Sequence, residues 1–262
     1  MKTEIIYFSA TGTTKAIVTA ISKGLKGKVH FTDITLPDKR NDIITVDSDL
    51  VIIAIPVYGE RIPCFLFDYI NRLQGNGTPL AVVSVYGNMG FGISLEQFKN
   101  FAERNNFRLI AAGTFIGQHT YASKEAPVAY GRPDGQDIQQ AELFAESIQK
   151  KIDAGNFTCP EIPKSILPGF ITEFPDSGTR FLVRQPRING TSCNSCGACV
   201  QKCPVGAIDP ETLKISENKC LRCYACVKVC PKAARTARLR LPFFRTIFFC
   251  AGRKRKENHT FL

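Results

Sequence analysis

Eight of the eleven cysteines in this 262-residue chain fall into two runs, CNSCGACVQKCP at 193–204 and CLRCYACVKVCP at 220–231. Both read C-x2-C-x2-C-x3-C-P, and the second repeats the first at an offset of 27 residues. Thiolates are soft ligands, and an isolated C-x2-C is ordinarily a zinc site. Disulfides belong to oxidising compartments, and the start of the chain does not read as an export signal. Lys2 and Glu4 bracket it, and the apolar stretch 5–8 is too short. Two complete runs, each closed by a proline (Pro204, Pro231), leave little room for zinc or disulfides. The remaining Cys64, Cys159 and Cys250 have no ligand spacing and are expected to be small buried apolar groups or inert thiols.

The two runs resemble those of bacterial ferredoxins that carry two [4Fe–4S] clusters. In that family three closely spaced thiolates cap one cubane, and the fourth cysteine faces away to serve the other. The resemblance implies Cys193, Cys196, Cys199 and Cys230 around one cluster. Cys220, Cys223, Cys226 and Cys203 are implied around the second.

The rest of the chain is of a different kind. Over residues 1–155, short β-branched runs (5–8, 29–34, 50–55, 80–86 and 109–116) alternate with helical spacing at 16–25, 63–73, 94–105 and 136–152. Five strands alternating with helices predict an α/β fold, a doubly wound parallel sheet covered on both faces. In such a sheet ligands bind beyond the carboxyl ends of the strands, where helix N-termini point. The stretch SATGTT lies at the first such turn, with Ser9, Thr11, Thr13 and Thr14 around Gly12. One hydroxyl there is an ordinary helix cap. Four around a glycine, beside free helix amides, suit a phosphate monoester.

These residues resemble the phosphate loop of the flavodoxin family, and the resemblance covers 1–155. It implies FMN, with the ring between two further loops. One is IPVYGERIP, with Pro56, Val57, Tyr58 for stacking and Gly59 at the flavin N5 edge. The other is VYGNMGFG, with Tyr86, Gly87, Asn88, Met89 and Gly90 bordering the ring. Flavodoxins usually surround the ring with acids, and here Glu60 alone is present. His119, after the fifth strand, reads as a loop or core histidine near the flavin edge. No G-x-G-x-x-G follows a strand, so that kind of nicotinamide site is absent.

Charge marks the boundary between the parts. Residues 1–155 hold 16 basic and 16 acidic side chains, and residues 156–262 hold 18 and 7, so the second part carries the whole net charge of +11. The expected organisation is a flavodoxin-like domain at 1–155, a proline-containing strap at 156–186, a small α+β ferredoxin-like domain at 187–240 and a tail at 241–262. The strap is rich enough in Ile, Leu and Phe to pack on one or both domains, with a short helix near 164–171 allowed by its pattern. The tail interleaves arginines with Phe243, Phe244, Ile247, Phe248 and Phe249. Its Phe-rich part is expected to pack back on the protein and 253–256 to be a solvated end. A peripheral membrane contact ranks behind that reading, and no nucleic-acid recognition fold accompanies the tail. No apolar run approaches the ~20 residues of a membrane helix, and the expected location is the cytoplasm.

Over nearly the whole chain the pattern resembles the fused flavodoxin–ferredoxin proteins of anaerobic microbes, which implies electron transfer between two [4Fe–4S] clusters and FMN. Cofactor charges would bring the second half to roughly +7 and the first to roughly −2. A basic carrier is expected to meet acidic redox partners, such as a ferredoxin, a flavodoxin or a reductase. The alternative is an oxidoreductase in which FMN reduces a quinone, a nitro compound or oxygen, with Tyr58, Tyr86 and His119 as nearby proton donors. A redox sensor that binds nucleic acid through its tail ranks third.

Overall fold

The computed structural model describes residues 1–40, 46–124, 126–165, 178–241, 243, 246, 247, 250 and 254–262. Its first domain is a sheet in which β1 (Lys2–Tyr7), β2 (Lys28–Asp33), β3 (Leu50–Pro56), β4 (Thr78–Tyr86) and β5 (Phe107–Ile116) run parallel in the order β2-β1-β3-β4-β5. The central strands are apolar along their whole length because both faces are covered. Register pairs Ile5 with Ile52 and Ile6 with Ile53. Successive residues therefore enter opposite layers: Ile5 and Ile52 join one core, Ile6 and Ile53 the other.

Helices α1 (Thr13–Lys23) and α4 (Gly135–Asp153) cover the first face with Ile17, Val18, Ile21, Phe144 and Ile148. Helices α2 (Cys64–Ile70) and α3 (Ser94–Arg104) cover the second with Leu66, Ile70, Phe98 and Phe101. The reversal of strand order between β1 and β3 is the switch point at which doubly wound sheets open a crevice.

The sheet gains a strand the periodicity does not show. Near the chain's end, β8 (His259–Phe261) returns to pair antiparallel with β5, Gly113 opposite Thr260, and makes the sheet six-stranded. In the expected solvated end, Lys254 and Arg255 are exposed, yet the segment is tied to the flavodoxin-like domain. Arg255 pairs with Asp134 at 2.6 Å, and Arg132 Nη1 donates to the Lys256 carbonyl at 2.7 Å. Asn258 accepts the Ile116 N–H at 2.8 Å and donates to Asp137 at 2.9 Å. Asp137 belongs to the capping box of α4, so the returning segment is tied to a helix start as well as to the sheet edge.

Phe244, Phe248, Phe249 and Arg253 lie outside the described residues. Phe243 and Ile247 are 59% and 40% exposed.

The second domain is built on a two-stranded ribbon, β6 (Arg187–Ile188) with β7 (Arg235–Thr236), and two short helices, α6 (Ala198–Gln201) and α7 (Ala225–Lys228). The strap spans both domains. Ile162 packs on the second core layer and the Ser165 N–H donates to Glu96 at 2.6 Å. Further on, α5 (Thr179–Leu182) joins the ferredoxin-like part through Arg180, which donates to the Asn218 carbonyl at 2.9 Å. The helix allowed over 164–171 lies mostly outside the described residues. The domains also meet directly: Arg40 donates to the carbonyl of Pro204 at 2.7 Å, and the rings of Tyr121 and Tyr224 lie 4.9 Å apart.

Candidate functional site

Loops after β1, β3, β4 and β5 enclose a cleft of about 850 Å³. Thr11, Thr13, Thr14, Pro56, Val57, Tyr58, Gly59, Tyr86 and Gly87 line it. Ser9 and Gly12 are not among the described residues that line it. Ser9 serves as a cap: its Oγ accepts the Lys15 N–H at 3.0 Å, and its own N–H donates to Thr35 Oγ1 at 2.9 Å. Gly12 precedes α1 with φ +94°, a conformation that side chains disfavour, and the space where a Cβ would project is open. In the first turn that follows, the amides of Thr13 and Thr14 have no preceding turn of carbonyls to bond. Thr14 Oγ1 is buried without a hydrogen-bond partner.

Asn88, Met89 and Gly90 are not among the lining residues. Asn88 is 2% exposed and its side chain donates to the Lys254 carbonyl at 3.0 Å and accepts the Lys256 N–H at 3.3 Å. Met89 offers its carbonyl to the Lys256 ammonium, and Gly90 lies against the Glu60 carboxylate. The returning C-terminal segment holds this loop, and no local pattern in VYGNMGFG reveals that partner.

Two further walls complete the cleft, one from the loop after β5 and one from outside the strand-end loops. Residues 117–121, GQHTY, form one side; their signal was their place after the fifth strand. Thr179, Leu221 and Cys223 form another, and these come from the strap and the second cysteine run. Nothing local to those residues marks them as cleft residues, because only domain docking brings them there.

Among the described residues, no carboxylate, lysine or arginine lines the cleft. Burial lifts the Tyr58 hydroxyl well above its ordinary pKa, with Cys223 and Tyr121 adding to the effect. Burial likewise pushes Tyr86 up to about 12 against the pull of Arg132. Burial, reinforced by Lys228, pushes His119 down to about 4, and its Nδ1 accepts the Tyr121 N–H at 3.1 Å. Near neutral pH the cleft is lined by uncharged donors and aromatic surface.

The cysteines gather into two sets. Cys193, Cys196, Cys199 and Cys230 line one cavity, and Cys203, Cys220, Cys223 and Cys226 line another, each of about 330 Å³. They surround space and do not converge on a point: among the described residues no three Cys, His, Asp or Glu side chains are placed to share one ion. Backbone amides point at the fourth sulfur of each run, Ala207 at Cys203 (3.1 Å) and Ala234 at Cys230 (3.2 Å). Cys64, Cys159 and Cys250 are exposed, a correction to the expectation of burial.

The 27-residue repeat extends to the backbone. Positive φ recurs at Ser195 and Arg222 (54° and 59°), Gly197 and Tyr224 (73° and 59°), and Gly206 and Ala233 (57° and 47°). Where the first run uses glycine for the left-handed turn, the second accepts a strained tyrosine, and that ring reaches Tyr121 across the domain boundary.

Comparison with known proteins agrees with this division. The flavodoxin domain family matches residues 4–122, and the 4Fe–4S dicluster domain family matches residues 185–231. The chain therefore joins a flavodoxin domain to a ferredoxin-type 4Fe–4S dicluster domain. Over 35 residues it is 57% identical to the ferredoxin-type protein NapF of Haemophilus influenzae; that stretch is 13% of this chain and 20% of that protein's length. Among solved structures it is similar to a flavodoxin from the domain Archaea (15% identity, 58% of this chain, 99% of that one, TM-score 0.43). It is also similar to oxidised flavodoxin 2 of Bacillus cereus (16%, 58%, 99%, TM-score 0.45). Among the described residues no helix is long and apolar enough to cross a membrane.

Proposed function

We propose that the chain passes electrons between one-electron redox proteins and FMN through two [4Fe–4S] clusters. The observation that carries the reading is the shared wall of the cleft. Leu221 and Cys223, from the second cysteine run, close the same space that Thr11, Tyr58 and Tyr86 open. A cluster held by Cys203, Cys220, Cys223 and Cys226 would lie beside a flavin held in the cleft, and one held by Cys193, Cys196, Cys199 and Cys230 would be the outer port.

The residues present fit both groups. The open backbone at Gly12, the first-turn amides of α1 and the unpartnered Thr14 hydroxyl suit a phosphate that arrives without a counter-ion. Ser9 braces that loop. Pro56, Val57, Tyr58 and Gly59 on one side and Tyr86 and Gly87 on the other would flank the ring. Four thiols around each cavity, with a backbone amide on the fourth, suit a cubane of iron and sulfide. When bound, FMN exchanges one or two electrons and each cluster exchanges one. Tyr58, Tyr121 and Leu221 would keep water from the junction, and the neutral His119 can hold a proton-bearing nitrogen near it.

The basic second half suits an acidic redox partner at the outer port. The test is anaerobic stopped-flow reduction of the holoprotein by a reduced one-electron carrier. In the native protein, cluster bleaching is expected to precede flavin bleaching. In Cys223→Ala, which removes a ligand of the nearer cluster, flavin reduction is expected to slow at least tenfold. Unchanged flavin reduction in that variant would disprove the route.

A further inference from the structure

The two cysteine repeats part company at position 222. Its counterpart 27 residues earlier is the exposed Ser195. Arg222 is 1% exposed and lines the cavity bounded by Cys203, Cys220, Cys223 and Cys226. Its Nη2 donates to the half-exposed Glu217 carboxylate. Its Nε and Nη1 are buried without a hydrogen-bond partner, and Cys220 lines the same cavity. A buried guanidinium with unmet donors is costly unless negative charge faces it. Glu217 answers for one edge only, and the other edge borders a cavity walled by thiols.

We propose that Arg222 is a fixed counter-charge that raises the reduction potential of the cluster in this cage, the one beside the flavin cleft. The inference rests on the cluster reading above. Reduction adds one electron, supplied by an external one-electron carrier or by the flavin, and makes and breaks no bond. It leaves the cluster one unit more negative. An adjacent buried positive charge favours that state, since net charge around a cluster sets its potential and the interior screens little.

Arg235 is the buried guanidinium of the other cage. It is 3% exposed and lines that cavity, with Nη2 on the Leu213 carbonyl at 2.7 Å and Nε buried without a hydrogen-bond partner. Arg222 therefore acts on the potential of its own cage, and the outer cage has a counter-charge of its own.

The experiment is an anaerobic redox titration of the holoprotein followed by electron paramagnetic resonance, native against Arg222→Met, with iron and sulfide counted in each. Both proteins are expected to hold about eight irons, as two cubanes require. One of the two one-electron steps should move so that its cluster is about tenfold harder to reduce, ~59 mV for one electron. The other step should stay, and Arg222→Lys should recover most of the shift. An unmoved titration with about eight irons present overturns the proposal. If Arg222→Met loads only about four irons, Arg222→Gln, which keeps a donor without the charge, decides it. A lowered potential there supports the counter-charge; an unshifted one, or loss of the same irons, assigns Arg222 to building the cage and overturns it. A native protein with far fewer than eight irons would remove the cluster reading itself, and this inference with it, so the two failures are told apart.

Discussion

Thr14 and His119 carry the sharpest single-residue tests. The Thr14 hydroxyl is buried and unpartnered, so Thr14→Val should leave the stability of the flavin-free protein unchanged or slightly raised. The same variant should weaken FMN roughly tenfold or more, since a hydrogen bond to a charged group is worth about 1.5–3 kcal/mol. Riboflavin, which lacks the phosphate, should bind it as it binds the native protein. Fluorescence titration with both flavins checks this, and equal losses would return Thr14 to a purely structural role. His119 is held near 4 by burial, below its ordinary 6.5. The unfolded chain therefore takes up a proton over that window while the folded chain does not. Stability is full above about pH 6.5 and falls as pH drops toward 4, by at most about 1.4 kcal/mol per pH unit from this group. Urea unfolding of the apoprotein at about pH 7 and pH 5 should show the loss, and His119→Gln should reduce it.

At the scale of elements, the C-terminal strand and the second cysteine repeat are the parts whose neighbours matter most. Asn258 accepts the N–H of Ile116 at the end of β5 and donates to Asp137 in the α4 capping box. Asn258→Ala strands a backbone donor and should cost about 1–3 kcal/mol, read as a lower urea midpoint for the flavodoxin domain. It should also free the 87–90 loop, which the same segment holds through Asn88 and Met89. Tyr224→Gly relieves a left-handed tyrosine, worth about 1 kcal/mol, and loses its ring pair with Tyr121, worth about as much. The buried side chain is lost as well, Tyr224 being 8% exposed, so net stability should fall by about 3 kcal/mol. Iodide should then quench the bound flavin's fluorescence more readily, because the domain contact that shields the cleft is loosened; unchanged quenching would mean that the Tyr121–Tyr224 contact does not shield it.

For the whole molecule, charge is segregated along the chain, with a neutral first 155 residues and all of the +11 in the remainder. Electron transfer from an acidic carrier should therefore slow as salt is raised from about 50 to 500 mM, as steering between opposite charges is screened. Transfer between the chain's own cofactors should be insensitive to salt, since the domains meet through buried contacts such as Arg40 on Pro204 and Tyr121 on Tyr224. Following cluster and flavin bleaching separately in the same stopped-flow record distinguishes the two. A salt effect on the internal step alone would contradict this division.

Local pattern alone determined much of this protein. The parallel sheet follows from apolar runs of four to eight residues alternating with helical spacing, because a strand buried on both faces has no polar side to show. The two cysteine sets were implied by the resemblance of the two runs to those of two-cluster ferredoxins, and the fold brings each fourth cysteine to the other run's cavity. What tertiary structure decided lies where distant residues meet. Ser9 turned from binding to capping because Lys15 is within reach of its hydroxyl. Asn88 and Met89 turned from the cleft to the tail because Lys254–Lys256 return 166 residues later. Thr179, Leu221 and Cys223 entered the cleft wall only because the second domain docks at the strand ends. Each of those partnerships is a contact between segments with no shared periodicity, and no local propensity records a contact whose energy comes from the other side.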